Sequence, residues 1–184
     1  MTDWSRSYDD VRWRTLESNV CILDSHVELL RAHHPETPQT IGRHLAYSLA
    51  VRFAASEAYF ATMGRVMERN DAQASLWSAM QNARQPLPRR WRRLEDSWHG
   101  NESVVGQVRY RHNVVAHANH EVSAADLSAQ LPRATLQELL DIVDDVYFCF
   151  SWVAKDVTGR DWPVPRHFGH VVESWRQLKE ASAS

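Results

Sequence analysis

The chain has 184 residues, of which 43% are hydrophobic, 24% are charged and only 13 are glycine or proline, with a formal net charge of −2. That length supports one domain with a sizeable core and not two, and the composition excludes a disordered or low-complexity chain. The near-neutral balance means that bulk charge does not point to a nucleic-acid partner. Met1 to Arg6 contain no apolar signal core, and no apolar run approaches the length of a membrane span. The expectation is a soluble, cytoplasmic protein with no membrane partner. The two cysteines, Cys21 and Cys149, lie in apolar, helical-looking segments and read as buried free thiols.

Residues 5–33 predict a long first helix. Val11, Val20, Leu23, Val27 and Leu30 recur at three- and four-residue intervals, and His33, His34 and Pro35 end it. Thr37 and Pro38 resemble an N-cap followed by a first-turn proline, and the helix they open runs to about Arg69 with Ile41, Leu45, Leu49, Phe53, Tyr59, Phe60 and Met63 inward. Arg52 and Glu57 interrupt that apolar helix as surface residues, as an internal ion pair or as groups supporting a site on a neighbouring helix. Asn70 and Asp71 can cap a third helix over about 71–84, which Pro86 and Pro88 end.

Residues 86–100 predict a connector with a helical turn or two, in which Trp91, Leu94 and Trp98 share a face and Arg89, Arg90, Arg92 and Arg93 point outward. Such a run can track an RNA backbone, or it can be a solvated helix pinned to the core by its tryptophans. Asn101 or Ser103 starts the next helix, with Gly106 inside it as a site of close packing or a kink. Residues 119–133 read as a loop containing a short helix capped by Ser123. Thr135 and Glu138 have the spacing of a capping box for the most apolar helix of the chain, expected to reach about Asp156 with Gly159 closing it and to form the centre of the bundle. Trp162 to Pro165 form a stiff connector, and an amphipathic helix over about 166–181 follows. No alternating strand pattern and no internal repeat occurs. The prediction is an all-α, up-and-down helical bundle of five to six helices, with residues 1–160 as the bundle and 161–184 as a connector and helix packed on the same domain.

The chemistry concentrates in Arg109 to His120. Arg111 and His117 stand six positions apart, which sets them roughly 120° apart on a helix, within reach of an arginine. Asn113 lies four residues before His117 and shares its face. A fork-shaped cation, an amide and an imidazole on one helix suit a phosphodiester better than a core. Ordinary solvated residues are one alternative. A metal site built from His112, His117 and His120 is another, but neither an H-E-x-x-H arrangement nor a supporting set of cysteines and carboxylates accompanies them. No metal and no cofactor is therefore expected. Charge is also distributed unevenly: residues 84–117 hold seven arginines against three acids, and residues 119–161 hold eight acids against three basic residues. A basic patch beside an acidic helix is compatible with local phosphate binding, and equally with a solvated face.

Arg111, the polar His112 and, four residues after the asparagine, His117, late in a helical domain, resemble the signature of the HEPN superfamily: an arginine, a polar residue and then a histidine. The phrase Val115-Ala116-His117-Ala118-Asn119, followed by a loop and a long helix, looks most like the AbiU-type branch associated with abortive infection. The resemblance covers roughly residues 10–156. It implies an all-α homodimer and a metal-independent endoribonuclease, with a toxin–antitoxin or phage-defence setting and an antitoxin protein as partner. It also implies catalytic roles for Arg111, His117 and Asn113, with His112 and His120 in the same neighbourhood; RNA contacts from Arg109, Arg89, Arg90, Arg92 and Arg93, and support from Arg52 and Glu57, are expected from the residues themselves. A non-catalytic module that binds RNA, a nucleotide or a protein is the alternative, because some members keep the fold without the activity. One HEPN group carries a modified tyrosine two residues after the histidine. Asn119 stands there in this chain, so that mode of regulation is not implied.

Overall fold

The computed structural model describes residues 10–33, 45–110, 134–159 and 161, and side chains over 11–31, 54–109, 134–159 and 161. Every regular element among them is helical, as the periodicity predicts: α1 (Asp10–His33), α2 (Leu45–Val66), α3 (Leu76–Gln81), α4 (Arg89–Glu95), a π-helical turn (Asp96–Gly100), α5 (Glu102–Tyr110) and α6 (Leu136–Thr158). The expected helix starts at residues 5 and 37, the loop over 119–133 and the segment after Trp162 lie outside the described residues.

Helices α1 and α2 pack along each other, and α6 touches α1, α3 and α4. The core face of α1 is Trp13, Leu16, Val20, Leu23, Val27 and Leu30, all buried. Val11 was expected on that face and is instead 69% exposed. The reason is angular: nine residues at about 100° each set position 11 roughly 180° from Val20, and Trp13 and Leu16 take its place. From α2 come Tyr59, Phe60 and Met63, as expected, together with Ala55 and Val66. Tyr59 is wholly buried and satisfies its hydroxyl by donating to the Leu139 carbonyl at 3.1 Å, so its burial costs no unmet hydrogen bond. Five of the eight tryptophans fall among the described side chains. Trp13, Trp91 and Trp98 are buried, and Trp77 and Trp152 pack partly buried against the same core.

The third helix is shorter than expected, six residues where about fourteen were predicted. Asn70 does not cap it. Its side-chain oxygen accepts from the Ala72 amide at 3.0 Å, and its carbonyl accepts from Gln73, so residues 70–73 close a turn. Ser75 caps the helix, accepting from the Ser78 amide at 3.1 Å.

Helix α6 follows its sequence signals at both ends. The Thr135 hydroxyl accepts from the Glu138 amide at 3.2 Å, while the Thr135 amide donates to Glu138 at 2.7 Å, which completes the capping box. Gly159 ends the helix at φ +71°, a left-handed conformation that a side chain would strain. Leu139, Ile142, Val143, Val146, Cys149, Phe150 and Val153 are buried along it, and Phe150 meets Trp13 edge-on at 6.1 Å. Cys149 is buried as predicted; Cys21 is only half-buried, and both are free thiols. Burial, and then the Asp145 carboxylate, push the Cys149 thiol up to about 12, which leaves it an inert core residue.

Two histidines make stability depend on pH. His26 shares a 3.2 Å hydrogen bond with buried Thr62 across the α1–α2 seam. Burial first, then the Arg65 cation, hold its imidazole below the ordinary 6.5, and burial and Arg69 do the same to His99. A lowered folded-state value means that the unfolded chain takes up the proton first as pH falls. Their contribution is therefore complete above about 6.5 and is lost as pH drops through 6.5 towards the folded-state values. The thermal midpoint is expected to fall between about pH 7 and pH 5, and His26→Gln to flatten that slope.

Candidate functional site

Four of the arginines expected to meet RNA sit on α4, and the structure divides them. Trp91 and Leu94 are buried on one face of α4, and Trp98 in the π-helical turn continues it, stacked on Phe60 with ring centroids 6.0 Å apart. This anchored stripe turns Arg89 and Arg92 outward, as predicted. Arg90 and Arg93 bend back onto α6. Arg93 grips Asp145 with two hydrogen bonds, Nε to Oδ2 at 2.5 Å and Nη2 to Oδ1. Arg90 adds its Nε at 3.8 Å from the same carboxylate and lays its guanidinium 4.7 Å from the centre of the Phe148 ring. Asp145 is 2% exposed, whereas the Arg90 and Arg93 side chains are 48% and 60% exposed. The carboxylate is thus a core group covered by two cations whose outer sides still face water. All four arginines are exposed, as expected, and the structure adds what the sequence does not signal: a buried carboxylate cannot be left uncompensated, and it engages the nearest two guanidinium groups.

Beside α4 runs an open groove of about 970 Å³, lined by residues from Leu87 to Asn101. Arg89, Arg92 and Arg93 line it together with Ser97 and Asn101. Two acids, Glu95 and Asp96, also reach it, and Glu95 is engaged by Arg69 at 3.4 Å. Arg89 and Arg92 have no acidic partner among the described residues, so they are the cations available to a phosphate there.

The far end of the groove is also the start of α5. The Asn101 side-chain oxygen caps that helix, accepting from the amides of Ser103 at 2.9 Å and Val104 at 3.4 Å. Its amide nitrogen donates to Glu138 at 3.1 Å, so one asparagine joins the capping box of α6 to the first turn of α5. The Thr135 amide and then the Asn101 amide hold the Glu138 carboxyl below the usual carboxylate range. Sequence reasoning named Asn101 as a helix start and missed its bond to Glu138, which no local spacing signals. Asn101→Ala is expected to cost about 1–2 kcal/mol in urea denaturation, since it removes a cap and leaves Glu138 short of a donor.

Val104 and Gly106 are buried along α5, and this seats the helix against α2 and the π-helical turn. Arg109 is exposed in the last turn of α5. Arg111, His112, Asn113, His117 and His120 follow it in sequence and lie outside the described residues. So does the Arg52 side chain, while Glu57 is half-buried on α2. Among the described residues no three His, Cys, Asp or Glu side chains gather as metal ligands, and no helix is long and apolar enough to cross a membrane.

Among the described residues, fold and groove together define an all-α protein with an arginine-lined surface groove that ends at the cap of α5. No family model, curated protein or solved structure matches the chain.

Proposed function

We propose that the chain is a metal-independent endoribonuclease of HEPN type, acting in the cytoplasm as a homodimer, with a toxin or phage-defence effector as its biological setting and an antitoxin protein as a further partner. The observation that carries this reading is the Arg111–Asn113–His117 spacing just beyond α5, whose first turn borders the arginine-lined groove. In the reaction, the ribose 2′-oxygen attacks the adjacent phosphorus and the bond from phosphorus to the 5′-oxygen breaks. A 2′,3′-cyclic phosphate and a free 5′-hydroxyl result. One imidazole takes the 2′-hydroxyl proton and another protonates the leaving oxygen, the two roles falling to His117 of each copy. Arg111, a planar donor that stays protonated, stabilises the charge that gathers on the phosphoryl oxygens. Asn113 orients the phosphate or the His117 ring. Arg89 and Arg92, with Arg109, hold the flanking backbone.

Purified protein incubated with RNA in EDTA tests this reading. Cleavage by wild type that is lost in His117→Ala and Arg111→Ala is the expected result. Equal cleavage by all three, or none by wild type over a broad range of conditions, removes the catalytic assignment. The groove gives separate support to a second reading, a non-catalytic module that binds RNA. Its mark is steeply salt-dependent binding without cleavage, weakened when Arg89 and Arg92 are replaced by alanine.

A further inference from the structure

A guanidinium has more than one edge that can make a pair of parallel hydrogen bonds, one through Nε and Nη2 and another through Nη1 and Nη2. On Arg93, Asp145 takes only the first of these, with Nε donating to Oδ2 at 2.5 Å and Nη2 to Oδ1. The Nη1–Nη2 edge has no partner among the described residues, and the side chain is 60% exposed where it lines the groove. Asp145 itself is 2% exposed and packed in the core face of α6, so it does not swing away with its arginine. Arg93 is thus a cation fixed from behind and open in front.

Arg89 stands three residues before Arg92 and four before Arg93, so the three share one face of α4 within about 100°. They differ in freedom. Arg89 and Arg92 have no acidic partner among the described residues and lose rotamer freedom when they hold a phosphate. Arg93 has already lost it to Asp145. The carboxylate also repels an incoming anion. That repulsion acts from the far side of the guanidinium, across a groove open to water where it is screened, while the fork stays set. We propose that Asp145 is a positioning residue of this groove: it sets Arg93 so that the outer edge of the guanidinium takes one phosphate of the RNA backbone. The inference rests on the reading of the groove as an RNA site, and it gives a second role to a pair that also joins α4 to α6. It follows that removing an acid should weaken the binding of an anion.

Fluorescence anisotropy at about 50 mM salt, with a 2′-O-methyl RNA of about twelve nucleotides that cannot be cut through its own 2′-oxygen, tests it. Asp145→Asn keeps the shape of the side chain and makes the protein more positive, yet it is expected to weaken binding at least about threefold. Arg93→Lys keeps the charge and loses the fork. It should weaken binding by a similar factor, with an unchanged dependence on salt. Binding by Asp145→Asn that equals or exceeds wild type overturns the proposal and leaves the pair a structural clasp. So does Arg93→Lys that binds like wild type. Arg89→Ala combined with Arg92→Ala separates this inference from the reading beneath it. Weak binding by that double variant beside tight binding by Asp145→Asn removes only the positioning role, whereas wild-type binding by the double variant removes both. Circular dichroism confirms that each variant is folded, and where Asp145→Asn is not, Arg93→Lys decides.

Discussion

His117→Ala is expected to lower EDTA-resistant RNA cleavage by about 10²–10⁴-fold, the range in which a positioned proton-transfer group contributes. The loss should fall on the chemical step, so binding of an uncleavable oligonucleotide stays close to wild type. Arg111→Ala is expected to cost about 10²–10³-fold through the lost stabilisation of developing phosphoryl charge. Arg111→Lys should recover only part of it, because a lysine keeps the charge and loses the planar fork. Arg89→Ala and Arg92→Ala should behave in the opposite way. They weaken binding across RNA sequences and reduce its salt dependence, and leave the bound RNA cut at an unchanged rate. Single-turnover cleavage measured alongside filter binding separates the two sets.

The second large effect concerns stability. Arg93→Ala is expected to cost about 2–4 kcal/mol, near the lower part of the range for breaking a buried ion pair, because Arg90 remains as a weaker partner and Arg93 is itself more than half exposed. Asp145→Ala should cost less, about 1–2 kcal/mol, even though it breaks the same bonds. The asymmetry follows from where each group sits. Removing the arginine strands a carboxylate that is 2% exposed, whereas removing the carboxylate leaves arginines that water can reach. Arg90→Ala with Arg93→Ala should be the least stable combination. Urea denaturation of the three variants measures the order, and a larger loss for Asp145→Ala than for Arg93→Ala would contradict this account of the clasp.

The place of Asp145 in the core is legible in the sequence. It lies three residues after Ile142 and four before Cys149, both buried, so its position on the core face of α6 follows from helical periodicity. An acid at such a position needs a cation, and the arginines of α4 are the densest supply in the chain. Helical periodicity likewise places Val11 away from the core, and the Asn70 turn follows the known habit of asparagine to bond its own backbone two residues on. By contrast, no pattern in the sequence joins Asn101 to Glu138, since the two are 37 residues apart and meet only because α5 and α6 begin side by side.

What the sequence by itself determined was every feature governed by neighbours in the chain: helical character throughout the described elements, the capping box at Thr135, the left-handed stop at Gly159, the inward Trp91 and Trp98 of α4 and the π-helical turn, and the Arg111–His117 spacing as a chemical suggestion. Only the tertiary structure decided which arginines of one basic run are committed to a buried carboxylate and which are left without an acidic partner, because that division depends on which helix lies opposite. The cost of leaving a charge unpaired out of water, and not any local preference of the chain, draws the exposed Arg90 and Arg93 onto Asp145 and leaves Arg89 and Arg92 to solvent alone.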